Sequence, residues 1–237
     1  MKDILFSGCS YSSHTGNTPF PEILNRLDGI NIIQTSWPGQ SNDSIIRNIK
    51  NSIKIDKRTD TTFVCQLTHL HRLSMFCTLN QKWVDFQPEF INVMPEVKDN
   101  TIIFDVDFEN VGVNSHSLLD YVTTDLIKFY KTYLKYLYDE THSFYKLMND
   151  IDDLTDLVNS TNNKIVYMFW PHTIPDVSEL ENRNFLNIDG EYSLLTWSTK
   201  NNLLDGRNSH LGVDGHIELS NILKNYLNLN SLSKKLI

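Results

Sequence analysis

Apolar positions along this chain fall into short continuous runs separated by stretches of helical spacing, and that alternation sets the fold before any chemistry is considered. Residues 3–6 form a brief apolar run that ends in Ser7-Gly8-Cys9-Ser10, which reads as a buried strand arriving at a sharp turn. Pro19 and Pro21 suit the first turn of a helix with Ile23, Leu24 and Leu27 on one face and Asp28-Gly29 as its stop. A second run follows at 30–35. Ser41-Asn42-Asp43 then cap a helix whose Ile45, Ile46, Ile49 and Ile53 recur at helical spacing. Residues 61–67, rich in β-branched and aromatic side chains, read as a third strand, and 164–170 as a fourth. Strand alternating with helix predicts an α/β fold, a doubly wound parallel sheet of flavodoxin-like type in one domain spanning 1–237.

About 95 residues separate the third and fourth strands, more than a crossover needs, so 78–160 is read as a largely helical insertion. Within it, 101–108 alternates and predicts an edge strand. Leu118, Leu119, Val122, Leu126, Phe129, Tyr130, Tyr133, Leu134 and Leu137 predict one amphipathic helix over 116–139, and a second covers 142–159. Residues 193–197 are read as a fifth strand. The last helix, 215–227, buries Ile217, Leu219, Ile222, Leu223 and Tyr226, and the tail beyond Asn228 is polar.

Composition narrows the function. With 40% apolar residues, 12 Phe, 10 Tyr and 4 Trp, the 237-residue chain has ample material for a core. A formal charge of −8 with dispersed bases lacks the footprint that phosphate backbones require, so no nucleic-acid partner is expected. No apolar run approaches the ~20 residues of a membrane span, and the start of the chain does not read as a signal peptide, so no membrane partner and a cytoplasmic location are expected. Cys9, Cys65 and Cys77 are too few and scattered for a disulfide framework. The chain contains no alanine, which leaves Ser, Gly and Cys to fill small-residue positions.

Two stretches carry chemistry. Ser10 sits at the carboxyl end of the first strand, where open α/β sheets bind ligands; Gly8 permits a tight turn, and amides there can face a developing anion. Near the far end, Asp205-Gly206-Arg207-Asn208-Ser209-His210 places a histidine in a Gly-rich loop beside an acid, just before the last helix. That is what a serine nucleophile needs as proton acceptor, with Asp205 to orient the imidazole and Asp214 as second choice.

Together these ends resemble the SGNH/GDSL hydrolase family. Gly8-Cys9-Ser10 stands where the family has Gly-Asp-Ser, Trp37-Pro38-Gly39-Gln40-Ser41-Asn42 looks like its second block, and His210 through Gly215-His216 is similar to its last. The resemblance covers the first 75 residues and roughly the last 35; similar Gly-Cys-Ser openings occur in divergent members, often of phage origin. It implies a serine esterase for small acyl esters, carbohydrate O-acetyl esters foremost, with Ser10 as nucleophile, His210 as base, Asp205 as orienter, the N–H groups of Ser10 and Gly39 in the oxyanion hole, and no cofactor. The partner is then a small-molecule or glycan ester. Three features depart from the family: Cys9 replaces Asp, Asp205 precedes His210 by five residues instead of three, and the Gly-x-Asn-Asp block is absent. After the third strand the chain reads Gln66-Leu67-Thr68-His69-Leu70-His71-Arg72, so Asn42, Gln66 or Thr68 is the candidate for the missing oxyanion donor. Arg72, Trp170 and His172, also at strand ends, are candidate substrate contacts.

Two other classes stand beside this reading. His69-Leu70-His71 has the spacing of a zinc-binding pair, with His172, His210 and His216 as further ligands, but no Cys or acidic cluster accompanies it and no metal is expected. The altered third block would also suit a structural or binding module that keeps the fold without turnover, such as a virion component or a homo-oligomer, with a virion-associated location if the chain is phage-encoded.

Overall fold

A computed structural model of the chain describes residues 2–10, 12, 18–78, 81–87, 96–98, 101–104, 124–171, 173–205 and 210–229. Strands β1 (Lys2–Ser7), β2 (Ile30–Gln34) and β3 (Thr62–Leu67) alternate with helices α1 (Phe20–Leu24) and α2 (Asn42–Lys54). A hairpin of β4 (Leu73–Cys77) and β5 (Lys82–Phe86) and a smaller one of β6 (Glu96–Lys98) and β7 (Thr101–Ile103) follow. Helix α3 (Thr124–Thr132) runs into a π-helical turn at Tyr133–Leu137, then α4 (Glu140–Asn159), β8 (Lys164–Phe169), α5 (Ser178–Glu181), α6 (Leu194–Lys200) and α7 (Val213–Tyr226).

Among the described residues the central sheet has four strands in the order β2-β1-β3-β8, all pairs parallel. Successive side chains of a strand point to opposite faces, and both faces here are covered. Ile4 and Phe6 of β1, Val64 of β3 and Val166 and Met168 of β8 join one core with Phe20, Leu194, Trp197, Leu219 and Leu223. Leu5, Phe63, Cys65, Ile165, Tyr167 and Phe169 join the other, against Ile45, Ile49 and Ile53 of α2 and Phe144, Met148, Ile151 and Leu154 of α4. This is the doubly wound arrangement expected from the sequence, with each fully buried apolar side chain contributing about 1.5–3 kcal/mol. A third, smaller cluster joins Val84 and Phe86 to Phe104, Ile127, Tyr130 and Leu134.

Several elements differ from expectation. Residues 193–197 are not a strand. Ser193 meets the sheet through an isolated bridge to Phe169 and a hydroxyl bond to the Trp170 carbonyl at 3.3 Å, then caps α6 by accepting from the Thr196 N–H. Leu194, Leu195, Trp197 and Ser198 are buried at helical spacing. The inserted region begins earlier than residue 78, because β4 starts at Leu73. Of the edge strand read over 101–108, Thr101–Ile103 is strand, Phe104 is not, and 105–108 lie outside the described residues. Of the helix read over 116–139, residues 124–137 are described as α3 and its π-helical turn.

Contacts between α1 and α7 fix the far end of the chain beside its beginning. The Ser220 hydroxyl donates to the Phe20 carbonyl at 3.1 Å, and the His216 ring stacks on Phe20 with centroids 6.2 Å apart. Burial, and after it the nearby His210, holds the His216 imidazole down at about 4, against an ordinary 6.5. Burial likewise keeps His71 well below its ordinary value. Unfolded histidines take up protons near 6.5 while these folded ones refuse them, so stability that is whole above that pH is lost as pH falls towards 4. Thermal melts should therefore show a midpoint that drops between pH 6.5 and 4. His216→Phe, which keeps the stacking on Phe20, should flatten that slope.

Candidate active site

β1 delivers its last residues into a turn whose geometry is set from the neighbouring strand. The Ser12 N–H donates to the Cys9 carbonyl at 3.1 Å, closing the turn over Ser10. Gln66, fully buried near the end of β3, supports it: its Oε1 accepts from the Ser12 hydroxyl at 2.8 Å and the Cys9 N–H at 3.3 Å, and its Nε2 donates to the Leu67 carbonyl at 2.9 Å. Gln34 Nε2 donates to the Ser12 carbonyl from the other side. A Cβ on Gly8 would lie 2.6 Å from Ser12 Oγ and 2.8 Å from Gln66 Oε1, so glycine is required here for space.

Ser10 meets His210. The Ser10 Oγ lies 3.0 Å from His210 Nε2, a hydrogen bond between residues 200 positions apart. His210 is held by a short antiparallel pairing in which Leu204 bridges Leu211, the Asp205 N–H donates to the His210 carbonyl at 2.7 Å, and the Gly212 N–H donates to the Leu203 carbonyl at 2.8 Å. This register sets Asp205 directly opposite His210. Residues so opposed project to one face of a ribbon with Cβ atoms about 4.5–5.5 Å apart. Leu211, buried in the first core, anchors the pair next to the start of α7.

The segment between β2 and α2 runs beside the Ser10 turn. The Thr35 N–H donates to Phe6 O at 2.9 Å and the Trp37 N–H to Gly8 O at 3.3 Å. Gly39 has φ +82°, a left-handed backbone that favours glycine. Neither the Ser10 N–H nor the Gly39 N–H has a hydrogen-bond partner among the described residues. Ser41 caps α2 by accepting from the Ser44 N–H and donates its own hydroxyl to Asp85 of β5 at 2.7 Å. The β4–β5 hairpin is thereby docked on this loop. Asp85 was not singled out by the sequence, and nothing in its surroundings there marks it; Ser12, two residues beyond Ser10, is the other unanticipated support.

The remaining sequence-derived candidates separate. Asn42 is engaged by the main chain of Thr68, donating from Nδ2 to its carbonyl at 3.1 Å and accepting its N–H at 2.8 Å, which leaves one Nδ2 hydrogen. Thr68 is buried and its Oγ1 has no hydrogen-bond partner among the described residues. Gln66 is not an oxyanion donor: its carboxamide is occupied by the turn it supports and by Leu67. Trp170 is not a substrate contact either, since it is fully buried in the first core and its carbonyl accepts from the Leu195 N–H. Arg72 is buried and donates to the Gln40 carbonyl at 3.3 Å. His172 lies outside the described residues. The His69 and His71 rings stack with centroids 5.1 Å apart, His216 belongs to the α1–α7 contact, and no group of three or more His, Cys, Asp or Glu is gathered for a metal among the described residues.

Two substitutions probe the turn. Gly8→Ala should cost about 1–3 kcal/mol through overpacking, and Gln66→Leu a similar amount by stranding the Cys9 N–H and Ser12 hydroxyl. Thermal melts should show each as a fall of about 2–4 °C per kcal/mol.

No protein-family model and no curated protein matches the chain by sequence. Solved structures do resemble it. A lipase/acylhydrolase from Enterococcus faecalis is 10% identical over 100% of both chains with a TM-score of 0.48. The psychrotrophic esterase EstA from Pseudoalteromonas, determined with monoethylphosphonate as inhibitor, is 13% identical over 96% of this chain and 100% of its own, also at 0.48. Protein YXIM from Bacillus subtilis is 10% identical with a TM-score of 0.50; the match takes in 98% of this chain and 58% of that longer protein. What the chain shares with the Bacillus protein at this identity is its fold, the parallel α/β architecture that the resemblance to SGNH hydrolases implies.

Proposed function

We propose that the chain is a serine hydrolase of SGNH/GDSL type acting on small carboxylic esters. The observation that carries this reading is the 3.0 Å contact between Ser10 Oγ and His210 Nε2 at the carboxyl edge of a parallel sheet. In the first half-reaction Ser10 Oγ attacks the ester carbonyl carbon while His210 Nε2 takes the hydroxyl proton. The N–H groups of Ser10 and Gly39 receive the oxyanion, with Thr68 Oγ1 and the second Nδ2 hydrogen of Asn42 the remaining candidates for a third donor. The C–O bond to the alcohol then breaks and the alcohol leaves with the proton from His210. Water attacks the acyl-Ser10 ester, passes a proton to His210, and the acid departs as Ser10 recovers its hydrogen. Asp205, opposite His210 in the hairpin, keeps the imidazole in the tautomer whose Nε2 accepts. Small acyl esters, those of carbohydrates among them, are the proposed substrate class.

The Asn that the family carries in its Gly-x-Asn-Asp block is missing after β3, and one lost oxyanion donor slows turnover by roughly 10²–10³. Hydrolysis of 4-nitrophenyl acetate tests the reading: wild type should turn over measurably, Ser10→Ala and His210→Ala should lose on the order of 10⁴-fold, and Asp205→Asn should approach the same loss through the wrong tautomer. Undiminished hydrolysis by Ser10→Ala would sink the assignment.

A further inference from the structure

The hydrolytic scheme leaves Arg72 without a role, and its surroundings are not those of a structural arginine. It lies just beyond β3, at the same edge of the sheet as Ser10, and is only 9% exposed. Among the described residues its guanidinium makes a single hydrogen bond, from Nη1 to the Gln40 carbonyl at 3.3 Å. The buried Nε has no partner, and no carboxylate lies within ion-pair distance of the group among the described residues. A guanidinium has five N–H donors in a fork that fits a carboxylate, and buried charges are ordinarily paired. Its neighbours along the chain bring no negative charge. The same stretch carries two further buried polar atoms without partners, Thr68 Oγ1 and His71 Nδ1. A cation in this condition is stabilised by an anion that arrives with the ligand, and the low-dielectric setting makes such a pair stronger than it would be in water.

The partner carbonyl shows where that anion belongs. Gln40 follows Gly39, and the Gln40 side chain accepts from the Trp37 N–H at 3.0 Å, so Arg72 is tied to the loop assigned to the oxyanion. It makes no hydrogen bond to residues 203–205 or 210–212, which hold His210. Because His210 must reach the leaving alcohol to return its proton, the alcohol half lies on the His210 side and the acyl half on the other. We propose that Arg72 anchors a carboxylate on the acyl half of the substrate, making the enzyme selective for half-esters of dicarboxylic acids. This rests on the hydrolase reading for its catalytic consequence, though not for binding of the anion.

The test compares mono-4-nitrophenyl succinate with its methyl ester, which match closely in size and differ in the free carboxylate. Wild type should favour the carboxylate in kcat/KM by about 10- to 100-fold. Arg72→Gln should bring that ratio close to one, and Arg72→Lys should retain part of it. Equal turnover of the two esters by wild type, or a preference that survives in Arg72→Gln, overturns the proposal. Should Arg72→Gln fail to fold, the wild-type ratio decides. If neither ester is hydrolysed, the hydrolase reading fails while the anchor is still tested: sodium succinate should raise the wild-type melting temperature above sodium chloride of equal ionic strength. No such rise refutes the anchor.

Discussion

A hydroxyl near the amino terminus and an imidazole from a loop 200 residues later share one hydrogen bond, and the rest of the structure can be understood as what holds those two atoms 3.0 Å apart. Neither loop achieves this alone. The Ser10 turn inherits its position from β1, which lies between β2 and β3 in the sheet. His210 inherits its position from α7, whose Ser220 and His216 are fastened to Phe20 of α1, itself packed edge-on against Phe6 of β1 with centroids 5.6 Å apart. The doubly wound sheet therefore acts as a ruler: burial of both its faces fixes β1 and α7 relative to each other, and the two side chains meet above its edge.

The Ser10 turn is held by polar side chains from the end of β3. At the end of β3 stand Gln66 and Thr68. Gln66 faces inward and satisfies the Cys9 N–H and the Ser12 hydroxyl, groups that would otherwise be buried without acceptors. A buried, satisfied network of this kind specifies one turn geometry. On the other side of the site, Asn42 binds the main chain of Thr68 through both ends of its amide and so clamps the start of α2 to the end of β3. Polar side chains that the sequence offers as oxyanion donors thus work largely as fasteners of the loops that carry main-chain donors.

Much of this was legible in the residue pattern. β1, α2, β3, β8 and α7 follow from short β-branched runs and helical spacing, and the meeting of Ser10 with His210 follows from their places at element ends. The misreadings have physical causes. Residues 193–197, Ser-Leu-Leu-Thr-Trp, satisfy both strand and helix patterns over so short a span, and the Ser193 cap with a buried Leu194–Trp197 face decided for helix. The β4–β5 hairpin lacks the Asn-Gly or Asp-Gly turn that signals one. Trp170 continues the alternation of β8 and lands on the same face as Val166 and Met168, in the core, and Gln66 turns towards the Ser10 loop from within β3. Which of two faces a strand residue occupies depends on register, and register is a property of the assembled sheet.

The most direct measurement is the site of covalent capture by a fluorophosphonate, mapped by mass spectrometry on the intact protein and its peptides. An activated Ser10 predicts one phosphonyl group per chain, confined to the peptide carrying Ser10 and absent when His210 is replaced by alanine. Capture at another residue, or none in the folded wild-type protein, would contradict the assignment of Ser10 and His210 as a working pair.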